Sequence, residues 1–132
     1  MPPPQLPESN DGRRIVICDY NQLLQSVTGL LRMSGYVVFQ AYDAAAAREL
    51  CNQLPDIEML ILNTTGAGVD SATLVRDIRE THPALPVLHI GNAELDGMPE
   101  DVPTLTETFT PARLLGTVEA LMPARLAPSP GP

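Results

Sequence analysis

Apolar residues in this chain change rhythm repeatedly, from continuous runs to helical spacing and back. Arg13-Arg14-Ile15-Val16-Ile17-Cys18-Asp19 is a β-branched run stopped by an acid, which predicts a strand covered on both faces. From Asn21 to Ser34, Leu23, Leu24, Val27, Leu30 and Leu31 recur at helical spacing, and Gly35 supplies a C-terminal cap. Tyr36–Ala41 reads as a second strand, and Asp43 caps an alanine-rich helix, Ala44–Leu54. Met59–Leu62 is a third strand without alternation, followed by a helix over Ser71–Thr81 with Leu74, Val75 and Ile78 inward. Pro86–Ile90 is a fourth strand, its proline suited to a strand's first residue. Asn92–Pro103 has no helical period and contains Gly97, Pro99 and Pro103. A weak fifth strand lies around Thr104–Thr106. Thr110-Pro111, a hydroxyl cap followed by proline, then opens a last helix with Leu114, Leu115, Val118, Leu121 and Met122 apolar.

Strands alternating with helices at these intervals predict right-handed βαβ units and a parallel sheet covered on both faces. Five strands with about five helices in roughly 110 residues is the size of a flavodoxin-like, doubly wound α/β domain, here with its fourth helix shortened or missing. The domain spans residues 13–122. A Pro-rich lead (1–12, with Pro2, Pro3, Pro4 and Pro7) and a tail (123–132) are expected to be extended or disordered.

Composition narrows the chemistry. A hydrophobic content of 44% in 132 residues fits one globular domain. The net charge of −8 argues against a nucleic-acid surface. All 8 basic residues are arginine, so chemistry that needs a lysine ammonium is excluded. No apolar run approaches the roughly 18 residues of a membrane span, and the lead does not read as a signal peptide. Cys18 and Cys51 lack metal-ligand spacing, so a reduced, cytoplasmic setting is the expectation.

The stretch with most to say is Met59–Ser71. Asn63 stands where the third strand runs out, at the carboxyl edge of the sheet, where open α/β folds place their sites. The order of elements, Leu30-Leu31-Arg32-Met33-Ser34-Gly35-Tyr36, Asn63 through Ser71, Leu85-Pro86-Val87-Leu88 and Phe109-Thr110-Pro111 together resemble the receiver domain of bacterial two-component response regulators. The resemblance covers about Arg13 to Met122. It implies an aspartate phosphorylated at the end of the third strand, two acids holding Mg²⁺ after the first, and a hydroxyl and a lysine after the fourth and fifth.

Carried over position by position, the acid pair falls on Cys18 and Asp19 and the phosphoacceptor on Asn63. The hydroxyl position falls on Gly91, the lysine on Glu107, and the aromatic switch position on Thr104. Gly68 and Asp70 keep part of the loop pattern, with Ala67 where the family has proline. Only Asp19 of the residues that run phosphoryl chemistry is retained. An amide is not the nucleophile a carboxylate is, a thiol is a poor ligand for Mg²⁺, and Glu107 would repel an incoming phosphate. The chain therefore resembles a pseudo-receiver, with no catalysis and no cofactor expected, Mg²⁺ included.

Each position also has a plainer reading. The Asn63 amide would donate to Asp19 or Glu107 in place of a metal. A residual divalent-ion site from Asp19, Glu107 and the Asn63 carbonyl oxygen is the alternative, with Asp19 its one retained ligand. Cys18 reads as a buried strand-end residue, Cys51 as filler, and His89 as a neutral core histidine. Met33, Met59 and Met122 fit core packing. Arg13-Arg14 reads as a solvated strand start, with phosphate-ligand binding as the lesser alternative. The leading expectation is a phosphorylation-independent interaction module for a histidine kinase or another signalling protein, a homodimer being compatible. Its surfaces would be the first helix, the last helix and the acidic loop before the fifth strand. The alternative is a sensor of a small ligand such as a cyclic dinucleotide, through Arg13, Arg14, Arg76, Arg79 or Arg113.

Overall fold

The continuous apolar runs form strands and the helically spaced ones form helices, in the order β1 (Arg14–Asp19), α1 (Gln25–Met33), β2 (Val37–Ala41), α2 (Ala44–Gln53), β3 (Met59–Asn63), α3 (Ser71–Thr81), β4 (Val87–Ile90), β5 (Thr104–Leu105) and α4 (Pro111–Leu121). This computed structural model describes residues 12–20, 24–63, 71–91, 97–106 and 108–122. The lead up to residue 11 and the tail from 123 lie outside the described residues.

The strands form one parallel sheet in the order β2-β1-β3-β4-β5. Alternation along each strand divides the core in two. Ile15, Ile17, Met59, Ile61, Leu88 and Ile90 face α1 and α4. Val16, Cys18, Leu60, Leu62 and Val87 face α2 and α3. Central strands buried on both sides are why these segments read as unbroken apolar runs. The sheet is flavodoxin-like and doubly wound, as the pattern predicts.

Local chemistry sets the helix ends. Asp43 Oδ1 accepts from the Ala46 amide at 2.7 Å, and Thr110 Oγ1 accepts from Arg113 at 3.1 Å with Pro111 in the first turn. Gly35, at φ 99°, closes α1: its N–H donates to Arg32 O and that of Tyr36 to Leu31 O, both at 3.1 Å. The helix itself begins at Gln25, later than the apolar spacing predicts, because the buried Asp19 carboxylate accepts the Leu24 amide at 2.8 Å. Met33 corrects another expectation. It lies in the last turn of α1, past the sheet, and is 87% exposed, whereas Met59 and Met122 are core.

Between β4 and β5 the described residues contain no helix. Instead Met98 and Val102 pack against the α2–α3 side of the core. Arg79 of α3 fastens this segment, reaching both Asp101 carboxylate oxygens at 2.6 and 3.0 Å while donating to Leu85 O. At the outer edge of the sheet, the Val37 amide faces β1, and Arg32 donates to the next carbonyl, Val38 O, at 2.8 Å. An exposed strand edge is thereby partly closed by a cation. Among the described residues no helix is long and apolar enough to cross a membrane.

Candidate functional site: the carboxyl edge of the sheet

Parallel pairing brings the ends of β1, β3, β4 and β5 to one edge. Asp19 and Asn63 are direct partners in the β1–β3 register, so their side chains leave the same face of the sheet. Both are buried. The Asn63 carbonyl accepts the Tyr20 amide at 3.2 Å, tying the chain leaving β1 to the end of β3. Asp19 directs one carboxylate oxygen to the start of α1. Cys18 points the opposite way, fully buried against α2 and α3, and its thiol is pushed up to about 11 by burial, with Asp43 and Asp19 adding to the shift. Cys51, on α2 in the same core, is pushed up to about 12, again by burial. Neither thiol is a nucleophile near neutrality.

Among the described residues this donor set does not fit a magnesium ion. Mg²⁺ seeks near-octahedral oxygen ligation with one or two free carboxylates. Here Asp19 already accepts from a backbone amide, and the neighbouring acid position holds a protonated thiol facing the other core. Among the described residues no three His, Cys, Asp or Glu side chains are grouped to hold a metal. Glu107 and the 64–70 loop, with Ala67, Gly68 and Asp70, lie outside the described residues.

The other face of this edge carries a feature that position-by-position matching misses. Gly91 is buried, and a Cβ built there would lie 2.9 Å from Cε1 and 3.0 Å from Nε2 of His89. His89 is only 2% exposed, and its Nδ1 is hydrogen-bonded to Thr104 Oγ1 of β5 at 3.0 Å. His89 is thus a core histidine, as expected, but one in contact with Gly91 and Thr104, two positions that the receiver resemblance singles out. The i, i+2 spacing of His89 and Gly91 in a strand was the available signal, since it places both on one face.

The arginines do not converge on this edge. Arg13 is not a solvated strand start: it is 6% exposed, with Nε 3.3 Å from Glu58 Oε1. Arg14, beside it, pairs with Asp56 at 3.1 Å. Both lie at the amino edge of the sheet, the far end from Asn63. Arg76 and Arg79 are on α3 and Arg113 on α4, and these helices cover opposite faces.

Element order, register and the composition of this edge define a doubly wound α/β domain of the flavodoxin-like class. No family model matches the sequence and no curated protein does. Solved structures do. The receiver domain of the hybrid histidine kinase CckA is 27% identical, with a TM-score of 0.70 over 83% of this chain and 99% of that one. A response regulator receiver protein from Sinorhizobium medicae is 24% identical (TM-score 0.71, 84% of this chain and 94% of that one). The chemotaxis protein CheY4 of Vibrio cholerae is 18% identical (TM-score 0.71, 85% and 99%). The chain is a receiver-like domain.

Proposed function

We propose that this domain is a regulatory module of signal transduction that works by binding a protein, without being phosphorylated. The observation that carries this reading is Asn63, which stands at the end of β3 beside Asp19 where a receiver has its phosphoacceptor. Its amide nitrogen lone pair is delocalised into the carbonyl and does not attack phosphorus. The Cys18 thiol and the amide-capping Asp19 support the same conclusion, because neither is set up to bring Mg²⁺ to a phosphoryl donor. The Asn63 side chain then serves as a buried polar residue at the junction of β1 and β3, and the surfaces left for recognition are α1 and α4.

The test uses acetyl phosphate and Mg²⁺ with the intact chain, followed by mass measurement. No phosphoryl adduct is expected, and an adduct mapped to the Asn63 peptide would overturn the proposal. Binding is tested by pull-down against a panel of histidine kinases and response regulators. A negative charge placed at the exposed positions Met33 (Met33→Glu) and Arg113 (Arg113→Glu) is expected to weaken capture, and Asn63→Ala to leave it intact. Loss of capture only with Asn63→Ala would count against this reading.

A further inference from the structure

We infer that His89, Gly91 and Thr104 form a latch that fixes the ends of β4 and β5 relative to each other. Three observations carry the inference. First, the imidazole lies against the Cβ site of position 91, with Cε1 at 2.9 Å, closer than real Cβ contacts come, and Nε2 at 3.0 Å, tighter than most of them. Gly91 does not lie in the left-handed region, unlike Gly12, Gly35 and Gly97 at φ 78°, 99° and 78°. Its lack of a side chain is therefore set by the ring and not by its backbone angles. Second, the ring reaches across to β5, where Nδ1 meets Thr104 Oγ1 at 3.0 Å within the register pair His89–Thr104. Third, β5 has only two residues, so it has few ladder bonds of its own: the His89 amide donates to Pro103 O at 3.0 Å and the Gly91 amide to Leu105 O at 3.1 Å. A partly buried side-chain bond at such a short edge adds to the few contacts that hold it.

The latch reaches further than two strand ends. Thr104 follows the 97–103 segment, which Met98 and Val102 pack onto the core beneath. Holding Thr104 holds that segment in one arrangement, so the outer surface of β5 and its approach are a fixed feature of the fold.

A double-mutant cycle on the full chain tests this. Gly91→Ala is expected to lower the melting temperature by about 5–10 °C, the scale of overpacking a core position in a domain of this size. His89→Asn keeps a hydrogen-bonding group near Thr104 and removes the far side of the ring. In that background Gly91→Ala is expected to cost less than half as much. Thr104→Val, which keeps shape and removes the hydroxyl, is expected to speed amide exchange of His89 and Gly91 about tenfold or more while leaving Ile17 and Ile61 unchanged. Equal costs of Gly91→Ala in both backgrounds, or unchanged exchange in Thr104→Val, would overturn the latch. Should His89→Asn fail to fold, the exchange measurement on Thr104→Val decides alone.

Discussion

Asp19 is the one acid that the receiver resemblance keeps, and in this fold its carboxylate accepts from the residue that precedes α1. Its buried carboxylate accepts the Leu24 amide, so Asp19→Ala leaves that donor without this acceptor. A cost of about 1–2 kcal/mol in a denaturant melt is expected, with Asp19→Asn costing less because its amide oxygen still accepts. The two thiols give a second prediction. Their folded pKa values, about 11 and about 12, lie above the ordinary 9.0. The folded state holds these protons more tightly, so their stabilising effect is fully present below pH 9.0 and lost as pH rises toward the folded values. Native protein at pH 8 is expected to leave both cysteines unlabelled by iodoacetamide until denaturant is added. Rapid labelling without denaturant would contradict their burial. At this scale the sequence was legible where neighbours decide and opaque where distant residues do. Arg13 was misread because its partner, Glu58, is 45 residues away, and nothing local announces an ion pair that far along the chain. Met33 was misread because its spacing from Leu30 is helical, yet the last turn of α1 runs past the sheet that would have covered it.

Among the elements, caps and strands were readable because they depend on few residues: Asp43, Thr110-Pro111 and Gly35 each mark a boundary by their own chemistry. The segment before β5 was readable only as a missing helix. What replaces that helix, Met98 and Val102 on the core with Arg79 gripping Asp101 and Leu85 O, is tertiary. The clamp predicts an acid response. The hydrogen bond from Arg79 holds the Asp101 carboxyl below its ordinary 3.8. Its contribution is therefore present above pH 3.8 and lost as pH falls through the lowered value. Because Asp101 is 64% exposed, the ion pair is screened and its effect is local. Faster exchange of the Val102 amide is expected on acidification or in Arg79→Met, with the β1 and β3 amides unaffected; uniform loss of protection would show global unfolding instead. At the other sheet edge, Arg32→Ala frees the Val38 carbonyl beside the 40% exposed Val37. A concentration-dependent rise in light scattering is expected relative to wild type.

For the whole molecule, a parallel sheet covered on both faces follows from the alternation of strands and helices, whereas the order β2-β1-β3-β4-β5 is seen only in the structure. The site was half legible. Asp19, Asn63 and Gly91 could be placed at one edge from spacing, whereas the pairing of His89 with Thr104 needed the β4–β5 register. The receiver domain of CckA and CheY4 share this frame at 27% and 18% identity, so the same sheet is reached with few residues in common. The imidazole seated against Gly91 has a consequence for how such a domain carries information. A protein with one arrangement offers no second population for an effector to favour, however tightly that effector binds. On the function and the latch proposed above, its message is its dose: occupancy of a partner would follow copy number through a simple hyperbola, and the rates of synthesis and degradation would set the signal. A binding titration that keeps the same midpoint with and without acetyl phosphate and Mg²⁺ is the expected outcome, and a shifted midpoint would show that a second state exists.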